Sequence, residues 1–394
     1  MITELIDNAM DLFAEYDKIR PYNDAEVPEA IQRVLSEERF KQMLAFLYRD
    51  KKIEDVIQTF KKIKTVSDFQ LMFSHYAVRE VVRQTSDGLS YSGIDKLDNT
   101  KPYLFISNHR DIVLDSAILQ ILLVENNHNT SQITFGSNLM SDSFIIDLGK
   151  LNKMFNFYRG GSRIQLYKNA VLHSEYIRHV ITKKKESLWI AQRDGRTKDG
   201  NDKTQIALIK MLLLGKKDLL PALKELNIVP LSISYEYEPC DAQKVQELYL
   251  SKKEVYKKQK GEDFVSVLSG IKGYKGHIHM GFGSEMDFSF DDFERNDTGI
   301  NEFTELVINK IDNQIYKNYK LWPGNYIAFD MLNKTNNYSD SMYNIEQKKK
   351  FINFVDTKIS TLQGDKEELA SMLIHMYAMP VINRNLVETT REVL

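Results

Sequence analysis

The sequence predicts an α/β fold in which a sheet is covered by helices, with a helical region before it and another after it. From about residue 100 to 285, short apolar runs alternate with helical stretches, which is the pattern of βα units. Residues 1 to about 85 carry helical periodicity, and the pattern becomes helical again after Gly283. We therefore expect a helical N-terminal region over 1–90, an α/β core over 91–300 and a helical C-terminal region over 301–394.

The expected N-terminal helices have acids near their starts and bases near their ends, as helices favour. The clearest segments run from Glu29 to Arg49 and from Ser67 to Gln84. In the core, strands are expected at 102–107, 132–136, 187–191, 228–235 and 275–283, and helices at 112–125, 164–182 and 203–215. Ligands gather at strand ends in such folds, so the loops after these strands are the places to search for chemistry.

Composition and charge limit the class of function. The 394 residues include 53 lysines and arginines against 55 aspartates and glutamates, and this balance requires no polyanionic partner such as nucleic acid. The single cysteine, Cys240, excludes an internal disulfide and a cysteine-based zinc cluster, and it favours a reducing compartment. The first residues lack the positive charge of a signal peptide, and no apolar run approaches the ~18 residues of a membrane span. We expect a cytoplasmic protein, either soluble or peripheral at the inner face of the membrane.

The first motif is the run Asn108-His109-Arg110-Asp111-Ile112-Val113-Leu114-Asp115, which follows the first predicted core strand. A histidine that leaves a strand end with carboxylates close behind suits a general base oriented by an acid. On a regular helix Asp111 and Asp115 would both point away from His109, so the histidine must precede the helix. Asp115 can then reach back from the first turn, while Asp111 either caps the helix or serves as the acid instead. The alternative is a hydrogen-bonded turn histidine with two structural acids.

The second motif, Phe155 to Arg163, is an apolar stretch that ends in Arg159 and Arg163 with two glycines between them. The glycines would let the backbone approach a ligand, and arginine offers forked donors that match a phosphate. The alternative is a tight turn that leads into a helix, with Ser162 as the cap of that helix.

The third motif follows the third predicted strand and mixes glycines with charges of both signs. Arg193, Arg196 and Lys198 could hold an anionic head group. Asp194 is available to fix an arginine or to accept a hydrogen bond from a hydroxyl. The alternative is a polar turn built on Asp194 and Gly195.

Two further features carry less information. The run from Ile228 to Tyr235 could wall an acyl-binding groove, although core packing explains it equally well. His277 and His279 share a face of a predicted strand, but no carboxylate or third histidine lies at a helpful spacing, so we expect no metal site.

Taken in order, these four segments resemble the four sequence blocks of the glycerolipid acyltransferase family, the lysophosphatidate and glycerol-3-phosphate acyltransferases. The run from Asn108 to Arg110 matches the first block, Phe155 to Arg159 the second, Asp194 to Thr197 the third and Val229 to Leu231 the fourth. The resemblance covers about residues 100 to 240.

The chain departs from the family pattern in two places. The family places four residues between its histidine and its aspartate, whereas five separate His109 from Asp115. In the third block an aspartate replaces the usual glutamate, and Arg196 follows the glycine directly instead of one residue later.

The resemblance implies a mixed sheet of the glycerol-3-phosphate acyltransferase kind and O-acyl transfer in phospholipid biosynthesis. His109 and Asp115 would form the catalytic pair, with Asp111 as the other possible acid and Asn108 in support. The residues that would bind the acceptor phosphate are Arg159, Arg163, Arg193, Arg196 and Lys198, supported by Asp194 and Gly195. The donor would be acyl-CoA or acyl-ACP and the acceptor glycerol-3-phosphate or lysophosphatidate, with no metal and no bound cofactor.

Two other functions stay open. A non-catalytic lipid-binding or scaffold protein that retains the fold would account for the altered spacing between His109 and Asp115. A phosphatase-type hydrolase is less favoured, because no cysteine or serine nucleophile and no metal cluster stand out. Helices of the N-terminal region or the lysine-rich stretch 252–260 could touch a membrane surface, although a solvated surface is the favoured interpretation of those lysines.

Overall fold

The computed structural model describes residues 14–137, 139, 142–253, 256, 261–288 and 299–392. Its centre is a seven-stranded mixed sheet covered by helices, with further helices before and after it along the chain. The α/β class, the mixed sheet and the two flanking helical regions predicted above are confirmed.

Seven strands form this sheet. They are β1 (Gly88–Ser92), β2 (Leu104–Ser107), β3 (Gln132–Gly136), β4 (Met154–Phe157), β5 (Leu188–Ala191), β6 (Ile228–Tyr235) and β7 (His277–Phe282). Their order is β1-β7-β6-β2-β5-β3-β4, and each neighbouring pair is parallel except β6 with β7. All five predicted strands are present, with ends that differ from the prediction by no more than two residues.

The sequence analysis missed β1 and β4, which are the two edge strands of the sheet. β1 is partly exposed and contains Ser90 and Ser92 in place of an apolar run, and β4 is only four residues long. An edge strand pairs on one side only, so it does not need the continuous apolar run by which buried parallel strands are recognised.

Six helices precede β1 in the described chain. They are α1 (described over 14–19), α2 (Val27–Ser36), α3 (Glu38–Leu47), α4 (Ile53–Phe60), α5 (Val66–Phe69) and α6 (Tyr76–Thr85). A π-helical segment, Gln70–His75, joins α5 to α6, so the predicted helix from Ser67 to Gln84 is present. The predicted helix from Glu29 to Arg49 is divided instead, because Glu37 adopts an extended backbone conformation between α2 and α3.

Seven helices lie between β2 and β7 in the part of the chain that the structure describes. They are α7 (Leu114–Glu125), α8 (Ser143–Leu151), α9 (Arg163–His179), α10 (Ile206–Leu212), α11 (Leu219–Lys224), α12 (Asp241–Lys253) and α13 (Glu262–Lys272). α7, α9 and α10 correspond to the three predicted core helices, and a π-helical segment, Val180–Lys184, extends α9. The predicted lysine-rich surface 252–260 lies mostly outside the described residues.

Four helices follow the sheet within residues 299–392. They are α14 (Ile300–Asn318), α15 (Pro323–Asn333), α16 (Ile345–Ser360) and α17 (Lys366–Glu392). The last three form an apolar core of their own together with Val245 and Tyr249 of α12. Among the residues described, each helix is too short or too polar to cross a bilayer.

Alternation along the strands divides the main core into two layers. Phe105 and Trp189 pack on the face covered by α6 and α7. Leu104 and Ile190 pack on the opposite face, against α9, α10 and α14. A loop that leaves the carboxyl end of β2 or β5 can therefore send side chains toward either layer.

Candidate active site

The three charged motifs lie at the same end of the sheet, where the parallel strands have their carboxyl ends. β2, β5, β3 and β4 are consecutive neighbours and run parallel, so their carboxyl ends lie side by side. The first motif follows β2, the third follows β5 and the second follows β4. The backbone N–H of Thr197 donates to the carbonyl oxygen of His109 at 2.8 Å, which ties the third motif to the first.

His109 lies in the turn before α7 and contacts the carboxylate of Asp115 in the first turn of that helix. The distance from His109 Nδ1 to Asp115 Oδ2 is 3.0 Å. Because Asp115 can only accept at this site, Nδ1 carries the proton and Nε2 is left with a free lone pair. The His109 side chain is 12% exposed, so the imidazole is held yet accessible. This is the arrangement of an oriented general base.

Asp115 is fully buried, and several hydrogen-bond donors surround its carboxylate. Its Oδ2 also accepts the backbone N–H groups of Arg110 and Asp111, at 2.6 and 2.9 Å. Its Oδ1 accepts the hydroxyl of Tyr235, the last residue of β6, at 2.8 Å. A buried carboxylate with this many donors stays in one position, and it fixes the turn that carries His109.

Asp111 has a different position. Its Oδ1 accepts the backbone N–H groups of Val113 and Leu114, at 2.9 and 2.8 Å, so it caps the start of α7. Its Oδ2 is buried without a hydrogen-bond partner among the described residues. Burial, and then the neighbouring charge of Asp115, raise the pKa of the Asp111 carboxyl. Of the two acids proposed from the sequence, the structure pairs only Asp115 with His109.

Asn108 and Arg110, on either side of the histidine, point into the protein. Asn108 Nδ2 donates to the carbonyl oxygen of Ile233 and to Asp202, both at 3.0 Å. The Arg110 guanidinium is 1% exposed and forms ion pairs with Asp202 at 2.5 Å and with Glu238 at 3.2 Å. These two residues therefore anchor the loop and do not face a substrate.

The ionic network around Arg110 includes residues that the sequence analysis missed. Lys244 of α12 donates to Glu238 at 2.6 Å and to the carbonyl oxygen of Arg110 at 2.7 Å. The backbone N–H of Glu238 donates to the hydroxyl of Tyr377 in α17, at 2.8 Å. The partners come from segments far apart in the chain, and no local pattern marks them.

Gly200 brings α17 against this network. Its carbonyl oxygen accepts from Arg110 Nη2 at 3.1 Å. Its φ is +81°, and a Cβ atom there would lie 2.1 Å from the carbonyl oxygen of Met376. The close approach of α17 therefore requires glycine at this position.

Arg159 and Asp194 connect the second motif to the third. Arg159 Nη1 lies 2.5 Å from Asp194 Oδ1, and both side chains are substantially exposed. β4 is three strands from β2 in the sheet, so at a strand spacing of about 4.8 Å the loop bearing Arg159 starts roughly 14 Å from the loop bearing His109. The ion pair with Asp194, which follows β5, directs the Arg159 side chain toward β2 and away from the outer strand β4.

A cavity of about 330 Å³ opens beside this ion pair. Arg159 and Arg193 contribute to its lining, together with apolar residues of α9 and α10 such as Leu166 and Met211. The Nε of Arg193 is buried without a hydrogen-bond partner among the described residues. The cavity thus combines an apolar wall with two guanidinium groups, as a site for an amphipathic anion would.

The remaining predicted phosphate ligands do not converge on that cavity. Arg196 is buried beside Asp111 and Cys240, and its Nη1 has no hydrogen-bond partner among the described residues. Lys198 forms an ion pair with Glu247 of α12. Arg163 is exposed as the first residue of α9. The five cations predicted from the sequence are thus placed in four different environments.

The two turn features that served as alternatives are also present. Gly195 has φ of +71°, as an Asp-Gly turn requires. The Ser162 hydroxyl accepts the backbone N–H of Gln165 at 3.3 Å and caps α9. These local roles explain the two residues without excluding a ligand nearby.

A second histidine, His173, lies on the wall of the 330 Å³ cavity. Its Nε2 accepts the backbone N–H of Tyr158 at 3.1 Å, and its ring stacks on Phe157. Burial lowers the pKa of His173 to about 4. Its accepting nitrogen is occupied, so this histidine is a structural group and not a competing base.

A larger cavity of about 580 Å³ lies between the N-terminal helices and α7. Most of its lining is apolar, from residues such as Phe46, Leu71, Ile121 and Met154. Val113 and Leu114, which lie between Asp111 and Asp115 in the chain, line one part of it. This cavity could not be predicted from the sequence, because it forms only where the N-terminal helices pack near α7.

The two histidines of β7 do not act together. His277 Nδ1 contacts Glu236 at 2.7 Å, whereas both ring nitrogens of His279 contact Ser90 and Ser92 of β1. Within the described residues, Asp87, Glu236 and His277 are close enough to share a cation, but this group lies at the protein surface. The two histidines therefore have separate partners, and the two carboxylates beside His277 come from segments distant from it in sequence.

Comparison with known proteins gives limited information. No family model matches the chain, and no curated protein matches it. Among solved structures, the 1-acyl-sn-glycerophosphate (LPA) acyltransferase PlsC from Thermotoga maritima is similar, with 13% identity, 72% of this chain and 92% of that chain covered, and a TM-score of 0.34. At this TM-score the likeness carries no weight for the activity, which has to be argued from the site.

Proposed function

We propose that this protein transfers a fatty acyl group from an acyl thioester to a hydroxyl group of glycerol-3-phosphate or lysophosphatidate. The thioester would be carried by coenzyme A or acyl carrier protein. The observation that carries the proposal is the contact of His109 with the buried Asp115, at the strand end where the arginine-bearing loops meet. No bound cofactor is part of the proposal.

In this reaction His109 Nε2 removes the proton of the acceptor hydroxyl while the hydroxyl oxygen attacks the thioester carbonyl carbon. The tetrahedral intermediate collapses, the C–S bond breaks, and the departing sulfur receives the proton from His109. Asp115 remains charged, keeps the proton of the resting imidazole on Nδ1, and stabilises the imidazolium that forms in between. The altered spacing is no obstacle to this chemistry, since the turn brings the two side chains to 3.0 Å.

One arginine of the second motif and one of the third would bind the acceptor phosphate. Arg159 is the best placed, because its only ion-pair partner among the described residues, Asp194, is 67% exposed and can yield to a phosphate. Arg193 is the other candidate, since it lines the same 330 Å³ cavity and its Nε has no hydrogen-bond partner among the described residues. Holding the acceptor in this way supplies rate through positioning of the hydroxyl group.

The 580 Å³ cavity is the proposed place of the acyl chain. Its lining is mostly apolar, and Val113 and Leu114 bring it next to the turn that carries His109. Each methylene group buried there stabilises the complex by about 0.8 kcal/mol. The N-terminal helices would then contribute directly to substrate binding.

The test is release of free thiol from an acyl thioester in the presence of each acceptor. His109→Ala should reduce the rate to background, whereas His375→Ala, at an exposed position of α17, should leave it unchanged. Equal rates for the wild type and His109→Ala would refute the mechanism. Lipid binding without any thiol release would favour the non-catalytic alternative.

A further inference from the structure

We propose that the surface formed by residues 159–168 contacts the face of an anionic lipid bilayer. This surface, here called the basic corner, comprises the loop after β4 and the first two turns of α9. All ten residues are exposed. Its sequence, Arg-Gly-Gly-Ser-Arg-Ile-Gln-Leu-Tyr-Lys, contains three cations and no acid.

The apolar side chains of the basic corner are unusually exposed. Ile164 is 71% exposed, Tyr167 61% and Leu166 45%. Single exposed apolar residues are ordinary on a soluble protein, but Ile164 and Tyr167 lie three positions apart on one face of α9 and form a patch there. An exposed apolar patch can enter the soft interfacial layer of a bilayer without any complementary pocket.

The cations of the basic corner determine the kind of surface. Arg163 and Lys168 have no ion-pair partner among the described residues, and they flank the exposed apolar side chains along the helix. A cation next to an inserted apolar side chain is placed at the depth of lipid head groups, where anionic lipids attract it. The combination favours a negatively charged bilayer over a neutral one.

Comparison of the basic corner with a second exposed apolar surface, on α13, supports the choice of a negatively charged bilayer. Phe264 and Val265 of α13 are 60% and 56% exposed, nearly as much as the residues of the basic corner. They directly follow two acids, Glu262 and Asp263, whereas the basic corner contains none. Exposed apolar area alone would not distinguish the two surfaces, whereas charge does.

The basic corner adjoins the 330 Å³ cavity, so contact with a bilayer would affect access to that cavity. Leu166 and Arg159 belong both to the corner and to the wall of the 330 Å³ cavity. A protein seated on this corner would present that cavity at the bilayer surface, where an amphipathic acceptor resides. This role of the basic corner rests on the proposed acyl transfer, but the bilayer contact itself can be measured without any substrate.

A fluorescent variant tests the contact directly. Trp189 and Trp322 are buried, so a tryptophan introduced by Tyr167→Trp would report on the corner. We expect its emission to shift to the blue on vesicles of equal phosphatidylglycerol and phosphatidylcholine, and not on phosphatidylcholine alone. Phe264→Trp is the matched control and should show no shift with either vesicle. Equal shifts for both variants, or none for Tyr167→Trp, would overturn the proposal.

Co-sedimentation with the same vesicles measures how much each side chain contributes to vesicle binding. Each lysine or arginine at an anionic surface contributes about fivefold to binding, so Arg163→Gln with Lys168→Gln should weaken it roughly 25-fold. Ile164→Ser with Tyr167→Ser should weaken it by about tenfold or more. The control pair Lys349→Gln with Lys350→Gln removes equal charge from exposed positions of α16 and should have no effect.

Equal losses for the control pair would reduce the effect to net charge and refute the basic corner. Failure of the wild type to bind either vesicle would also refute it, and would direct the search to a protein partner. Thiol release with short-chain, water-soluble thioesters reports separately on acyl transfer. Bilayer contact and catalysis can thus fail independently of each other.

Discussion

Replacing Asp115 with asparagine changes one charge at the centre of the site and almost no volume. The carboxylate accepts His109 Nδ1–H and two backbone N–H groups through Oδ2, and the Tyr235 hydroxyl through Oδ1. An asparagine can turn its carbonyl oxygen toward the backbone donors and its amide group toward the tyrosine oxygen. The turn should therefore survive, while the charge that orients the imidazole is lost.

Two magnitudes follow from this geometry. A hydrogen bond to a charged group contributes about 1.5–3 kcal/mol, so the free energy of unfolding should fall by no more than about 3 kcal/mol. In serine hydrolases the same change beside the catalytic histidine lowers kcat by about 10⁴-fold. We expect kcat/KM of Asp115→Asn to fall by ~10³- to 10⁴-fold, which is about 4–5.5 kcal/mol of transition-state stabilisation.

The assay is the initial rate of thiol release, combined with urea unfolding of the same samples. Asp111→Asn is the matched control, since it makes the same chemical change at a neighbouring buried carboxyl whose pKa is already raised by burial. Its Oδ1 can still cap α7, so its rate should fall less than tenfold. An Asp115→Asn rate within tenfold of the wild type, or equal damage from the two variants, would refute the pairing argument.

Four further predictions concern other parts of the molecule. Arg159→Ala should raise the KM for the acceptor and leave kcat little changed, because the ion-paired arginine binds the phosphate before chemistry begins; initial rates measure both. Ala117→Phe should shift the preferred donor to shorter acyl chains, because Ala117 lines the 580 Å³ cavity; competition between thioesters measures the shift. Burial raises the pKa of Asp312 to about 7 from its ordinary 3.8, so the wild type should lose stability as pH rises from about 4 to 7. Asp312→Asn should lack this loss, which amounts to at most about 4 kcal/mol in urea unfolding. Arg110→Met should cost ~3–5 kcal/mol of stability, because it leaves two buried carboxylates without their guanidinium.

Each of these predictions has an outcome that contradicts it. An unchanged KM would move the phosphate site away from Arg159, and an unchanged chain preference would move the acyl chain out of the large cavity. Parallel pH curves for the wild type and Asp312→Asn would mean that the burial of this carboxyl is already compensated. A loss below about 1 kcal/mol for Arg110→Met would show that the ionic network is dispensable.

Contacts between residues close together in the sequence could be predicted, whereas contacts between residues far apart in the sequence could not. The contact of His109 with Asp115 could be anticipated, because a turn followed by a helix start leaves few places for a side chain six residues on. The partners of Arg110 could not, since Asp202, Glu238 and Lys244 approach it only through the order of the strands. Burial of every strand position made β6 easy to recognise, whereas the edge strands β1 and β4 gave no such signal.

The predicted group of phosphate ligands shows the same limit. The arginines and the lysine were placed together because their motifs occur in order, yet order does not specify which way a loop turns. Arg159 turns toward Asp194, Arg196 enters the protein, and Arg163 begins an exposed helix end. Only the three-dimensional arrangement shows which of these cations lines a cavity and which lies on an exposed surface.

The support that α17 gives to the Arg110 network has a consequence for synthesis of the protein. Ribosomes add roughly 5–20 residues per second, so Tyr377 emerges roughly ten to fifty seconds after Arg110. During that interval the nascent chain has no hydroxyl to offer Glu238 and no helix to meet Gly200. Chains that stop before α17 therefore carry His109 and Asp115 without the contacts that α17 makes around Arg110, and the proposed activity would become available only when translation of α17 is complete.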